Sequence, residues 1–115
     1  MIILTPNAEY TFQGRDGSTS DHLVVKESWV ENVYQITRKD LADTGIMVDL
    51  GANIGAVSIF AASLNDGLWP QIKVYAVEPE PNNIKLLEAN IIDNKVQDFV
   101  QVCPSELRIT PLSPT

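Results

Sequence analysis

"MVDLGANIGAVSIFAAS", residues 47–63, decides the fold. Together with Ile46 it begins as a short apolar run, 46–50, rich in β-branched residues, which predicts a buried strand. A turn with Gly51 and Gly55 follows. The next segment places Ile54, Val57, Phe60, Ala61 and Leu64 at three-to-four-residue steps, the stripe of a helix packed on a sheet. "NDG" (65–67) ends that helix.

The same alternation continues outward. "KVYAV" (73–77) predicts a second buried strand, and "PEPNNIKLLEANIIDN" (79–94) a second helix. Pro81 suits the first helical turn, where its missing N–H would have had no partner. Ile84, Leu87 and Ile91 form the apolar stripe, and Asn94 can end the helix in a left-handed conformation. "DFVQVC" (98–103) predicts a third strand. Residues 46–103 therefore read β-α-β-α-β. Right-handed crossovers give parallel strands, with the first strand central. This is one mononucleotide-binding half of a doubly wound α/β fold.

Residues 1–45 form a lead-in. "MIIL" and "EYTFQ" suggest short strands, and "GRDGSTS" (14–20) an exposed turn. "HLVVKESWVENVYQI" (22–36) fits either a helix or a strand, because Val24, Val25, Trp29, Val33 and Ile36 have helical spacing but much β-branching. "TRKDLADTG" (37–45) turns the chain toward Gly45. Residues 104–115, with three prolines, read as an irregular tail.

Composition limits the partners. The chain has 115 residues, suited to one domain, with 8 Lys and Arg against 15 Asp and Glu, a net charge of −7. Such a surface repels phosphate backbones and anionic lipid, so neither nucleic acid nor membrane is expected as the main partner. The single Cys103, in an apolar run, reads as a small buried hydrophobe and excludes an internal disulfide. With one histidine, His22, no zinc site is expected. No segment resembles a signal peptide or membrane helix, and a cytoplasmic location is the expectation.

Three elements converge at the carboxyl ends of the strands, where open α/β sheets bind ligands. In the turn "DLGANIG", Gly51 allows a sharp bend and a close ligand approach. Asn53 can cap the following helix, and Gly55 allows close packing of helix on strand or of ligand on helix. Asp49, a carboxylate in an apolar strand, can accept hydrogen bonds from turn amides or face a cationic ligand group. Glu78, at the tip of the second strand, is placed to accept hydrogen bonds from a ribose diol; the plainer reading is a solvated strand end. Cys103 to Ser105, at the third strand end, lie where an adenine would rest. The turn lacks the G-x-G-x-x-G of a dinucleotide site and the Gly-Lys-Ser/Thr of a P-loop. A carboxylate before the glycine would also repel pyrophosphate. It suits a ligand with an amine and a sulfonium, S-adenosylmethionine.

"VDLGANIGAVSIFAA" followed by "VYAVEPEPNNIKLLEANI" resembles the class I S-adenosylmethionine-dependent methyltransferases, most closely the FkbM-like family. The shared pattern is Asp49 with Gly51 to Gly55, Glu78-Pro79-Glu80-Pro81, and Leu87 to Asn90. "WVENVYQI" also resembles the family's lead-in, with Tyr34 where an aromatic often occurs. The resemblance spans about residues 29–103. It implies a Rossmann-like methyltransferase fold, three-layer α/β/α. It also implies that Asp49, Gly51, Ala52, Asn53 and Gly55 line the methionine and ribose end of the cofactor, with Glu78 on the ribose diol and Pro79 beside the adenine. No metal is implied, and no catalytic residue matches.

A complete sheet of this family has about seven strands, and this sequence supplies three. The expected protein is thus the N-terminal, cofactor-binding half of a methyltransferase, an incomplete fold, transferring a methyl group to oxygen of a small-molecule or sugar-type acceptor. The other reading is a truncated, inactive Rossmann-like module serving in binding or assembly. A dinucleotide dehydrogenase is a distant third. On either of the first two readings the strand at 46–50 has an open edge, a route to homo-oligomers.

Overall fold

The computed structural model describes residues 1–65, 67 and 70–105. The tail beyond Ser105, and Asp66, Leu68 and Trp69 of the loop expected to end the first helix, lie outside the described residues. The elements in chain order are β1 (Ile2–Leu4), β2 (Thr11–Gln13), α1 (Thr19–Val25), a π-helical turn (Lys26–Val30), α2 (Arg38–Thr44), β3 (Ile46–Leu50), α3 (Ala56–Ser63), β4 (Lys73–Val77), α4 (Pro81–Asp93) and β5 (Val100–Cys103).

The β-α-β-α-β core is present, and its strands are parallel. β3 pairs with β4 from Ile46 opposite Lys73 to Leu50 opposite Val77, and β4 pairs with β5 from Val74 opposite Val100. The order is β3-β4-β5, so the middle strand is β4, not the first strand of the unit as its sequence suggested. Each new strand is added outside the last, which leaves β3 at one edge of the three. β5 is also shorter than the predicted 98–103, because Asp98 and Phe99 complete the turn before it.

Side chains alternate across this sheet. Val74, Ala76 and Val100 enter the core, together with Ile54, Ile59, Leu87 and Ile91. The opposite face has no covering element among the described residues. Hence β3 is not the buried strand expected: Ile46 is 54% exposed, Val48 41% and Leu50 75%. One of the two helical layers of a complete Rossmann-like domain is therefore present among the described residues. The α3 stripe also differs from expectation. Ile59, Ala61 and Ala62 are buried, whereas Val57, Phe60 and Leu64 are only partly so. The helix is covered on more than one side, by the sheet and by the lead-in, which shifts its most buried positions.

The lead-in folds onto those helices. β1 and β2 form an antiparallel hairpin. Ser18 caps α1 by accepting the Asp21 N–H, and α1 passes into the π-turn, which settles the ambiguous 22–36 stretch as helical at its start. Trp29 on the π-turn donates its indole N–H to the Ala56 carbonyl at 3.0 Å. Its ring packs edge-on against Phe60 at 5.2 Å and Phe12 at 5.7 Å. Residues 37–45 are more than a turn: Thr37 caps a short helix that ends on left-handed Gly45.

Two asparagines of α4 join the hairpin to the core. Asn90 accepts the Gln13 N–H at 2.6 Å and donates to its carbonyl at 3.1 Å. Asn94 does the same to Thr11 at 3.0 and 2.8 Å. Positions i and i+4 of a helix lie about 6 Å apart along its axis, close to the i, i+2 repeat of a strand. The two amides thus match alternate residues of β2 and satisfy its outer edge. Asn94 is accordingly not left-handed (φ −92°); Lys95 carries the positive φ instead.

Candidate functional site

Three consecutive amides of the glycine turn are already engaged. Gly51 and Ala52 both donate to the Val77 carbonyl, at 2.9 and 3.0 Å. The Asn53 N–H donates to Glu78 Oε1 at 2.8 Å. A phosphate-binding turn keeps such N–H groups free for the anion. Here they fasten the turn to the end of β4. This places the turn's chemistry in its side chains and open space, and it leaves no nest for a pyrophosphate.

Glu78 is the centre of that fastening and not a solvated strand end. It is 4% exposed. Beyond the Asn53 bond, its Oε2 accepts from the Glu80 N–H at 3.0 Å and from Asn83 Nδ2 at 3.4 Å. A carboxylate offers about four acceptor sites, so Oε1 keeps one unused by these bonds. Asn83 is tied in turn to Arg15, whose guanidinium donates to Asn83 Oδ1 at 2.5 Å and pairs with Asp21 at 3.2 Å. Glu80 caps α4, accepting from Asn82 and Asn83; these two amides hold its carboxyl below the usual range.

Asp49 lies in different surroundings. It bonds no turn amide. Its Oδ2 accepts from Ser58 Oγ of α3 at 2.6 Å, and Ser58 is fully buried. Burial pushes the Asp49 carboxyl above its ordinary value, the serine bond opposes that shift, and the nearby Glu78 charge adds to it. Ser58 left one trace in the sequence, a hydroxyl nine positions after an acid in a largely apolar helix, and that signal is too common to assign a partner.

Asp49, Gly51, Ala52 and Asn53 line one wall of a cleft of about 330 Å³. Gly51, at φ +73°, has nothing within 4 Å of where a Cβ would stand, so a ligand can approach its backbone. The lead-in contributes Val24, Ser28, Tyr34 and Ile36 to the lining. Apart from Tyr34, noted for its place in the lead-in, sequence reasoning gave these residues no part in a site, because only the folded chain brings them to the turn. The cleft lining contains one carboxylate and no lysine or arginine. It therefore fits a neutral or cationic ligand group better than a phosphate, and the donor set is compatible with a sulfonium cofactor.

The remaining expected residues lie off this wall. Gly55 is buried at φ +98°, and an added Cβ there would stand 2.8 Å from Leu87 Cδ1. Its small size serves the approach of α4, not contact with a ligand in the cleft. Asn53 does not cap α3; it is itself left-handed at φ 54°, and the cap position is Gly55, which has no side chain to bond. Pro79 is exposed beside Glu78, and Cys103, at the tip of β5, is half-buried rather than a core residue. No group of three His, Cys, Asp or Glu that could hold a metal occurs among the described residues, and no helix among them is long and apolar enough to cross a membrane.

No family model and no curated protein matches the chain. Among solved structures, it is similar to PH0793 of Pyrococcus horikoshii, a protein provisionally named a transferase, with a TM-score of 0.59 and 21% identity. That match covers 91% of this chain and 36% of the other. TYW2 of P. horikoshii, solved in complex with MeSAdo, is similar over 65% of this chain and 29% of its own, at 28% identity, but its TM-score of 0.47 is too low to argue from. The chain thus spans about a third of the length of these structures. The fold is an incomplete Rossmann-like α/β arrangement of the kind seen in PH0793.

Proposed function

We propose that this chain is the cofactor-binding part of an S-adenosylmethionine-dependent methyltransferase, FkbM-like, acting on an oxygen of a small-molecule or sugar-type acceptor. The observation that carries the reading is the cleft at the end of β3, with a carboxylate, an open glycine and no cationic side chain in its lining. Asp49, Gly51, Ala52 and Asn53 would meet the methionine and ribose end. Glu78 would accept from the ribose diol with its remaining acceptor site, and Pro79 would border the adenine. Gly55 would act indirectly, by letting α4 close on the turn. When bound, the cofactor supplies an electrophilic methyl group on a sulfonium. The chain's own share is alignment: the Asp49 charge favours the cationic end of the ligand, and the fastened turn fixes it in one place. Isothermal titration with S-adenosylmethionine and S-adenosylhomocysteine tests the reading. Saturable binding of either supports it, and no heat from a folded sample at high micromolar ligand rejects it.

A second reading is favoured by the open sheet face. Ile46, Val48 and Leu50 offer an apolar strip on an edge strand. On that reading the chain is an inactive Rossmann-like module that serves in binding or assembly, including self-association through β3. Light scattering on a size-exclusion column distinguishes the two: a dimer that Val48→Lys dissolves, in a protein without cofactor binding, supports the module.

A further inference from the structure

The cleft lining includes one aromatic residue, Tyr34, and the loop that holds it is unusual. Asn32 and Gln35 both have positive φ, 44° and 52°. This region is unfavourable for non-glycine residues, more so for glutamine than for asparagine. The loop keeps it because it is over-determined. The Asn32 side chain donates to the Ile36 carbonyl at 3.2 Å and accepts its N–H at 3.1 Å. Within that clasp, the Gln35 N–H donates to the Asn32 carbonyl at 2.9 Å, and the Val33 N–H donates to Glu27 at 3.0 Å. The π-turn beneath is fixed by the Trp29 bond to Ala56. Strained backbone held this firmly is found where a side chain must be kept in a set position. The backbone so held carries Tyr34, 58% exposed yet part of the cleft lining.

An exposed aromatic ring, a carboxylate and no lysine or arginine share one cleft. A ring face attracts cations, and a nearby carboxylate adds to the attraction. We infer that Tyr34 is a specificity-determining residue which favours the cationic, methyl-bearing form of the cofactor over its demethylated product. This rests on the reading that the cleft binds S-adenosylmethionine. Methyl transfer leaves the sulfur–methyl bonding pair on sulfur, so the sulfonium becomes a neutral thioether and loses its attraction to the ring. Tyr34 would thus help retain the substrate form and release the product form.

The test is a ratio of affinities. The Kd values for S-adenosylmethionine and S-adenosylhomocysteine are measured calorimetrically on the full chain, with Tyr34→Phe and Tyr34→Leu beside it. The phenylalanine variant should keep the wild-type ratio. The leucine variant should lose about threefold in preference for the sulfonium form, the size of an exposed cation–π contact. Retained binding of the thioether shows that it is folded. If it does not fold, Asn32→Ala, which opens the clasp, should shift the ratio in the same direction. An unchanged ratio, or equal weakening of both ligands, overturns the role of Tyr34 while the cofactor reading stands. Binding of neither ligand by the wild-type protein overturns both.

Discussion

The glycine turn has a closed side and an open side, and the two use the same residue types differently. On the closed side, Gly55 meets Leu87 and Glu78 holds two backbone amides and an asparagine. On the open side, Gly51 faces empty space and Asp49 has one serine partner. Each pair is one glycine and one acid. The closed pair builds the turn, and the open pair borders the cleft. A motif that reads as a single ligand-binding signature is therefore half scaffold.

Substitutions on the two sides should separate accordingly. The largest effect belongs to Gly55→Ala. Overpacking against Leu87 and a methyl group at φ +98° act together, for a loss of roughly 3 kcal/mol in urea unfolding. Gly51→Ala meets only the backbone penalty, about 1 kcal/mol, since no atom lies in the way. Equal losses at the two glycines would erase the distinction between the sides. Between them falls Glu78→Gln, which removes the charge facing two N–H donors and should cost about 2 kcal/mol.

Asp49→Asn should do the opposite of Glu78→Gln and raise stability slightly at neutral pH while weakening S-adenosylmethionine binding about tenfold. The pH dependence follows from the raised carboxyl. Above the native pKa the buried charge destabilises the fold. As pH falls through that pKa toward the ordinary 3.8, the native state takes up the proton first and the penalty disappears. The gain from Asp49→Asn should therefore be full at neutral pH and fade on acidification, as read from unfolding curves at several pH values. The smallest effect is expected on the uncovered sheet face: Val48→Lys should change monomer stability by no more than about 0.5 kcal/mol.

The β-α-β-α-β order was legible because each element announces itself locally, by a β-branched run, a helical stripe, a proline at N1 or a glycine. Where sequence reasoning failed, distant groups decide. β3 looks buried because it is apolar, but burial depends on a covering layer that the run does not specify. Ser58 and Asp49 are nine positions apart with no pattern linking them. Asn53 looks like a helix cap, yet its backbone is left-handed and its N–H is bonded to Glu78, just past the next strand. The lead-in wall of the cleft has no local signature either, since it becomes a wall only when Trp29 reaches Ala56.

The asparagine clasp on β2 bears on the order of events in synthesis. Thr11 and Gln13 are held by residues that leave the ribosome about eighty positions later. The first hairpin must therefore wait, with its edge unsatisfied, until α4 is complete. The Rossmann-like unit needs the same helix, so its core around Ile54, Ile59 and Leu87 also closes only once α4 has emerged. The hairpin and the turn carrying Trp29 would then dock last, and the cleft would gain its second wall only at that step. Amide exchange should show the same sequence in reverse, with β2 opening before β4.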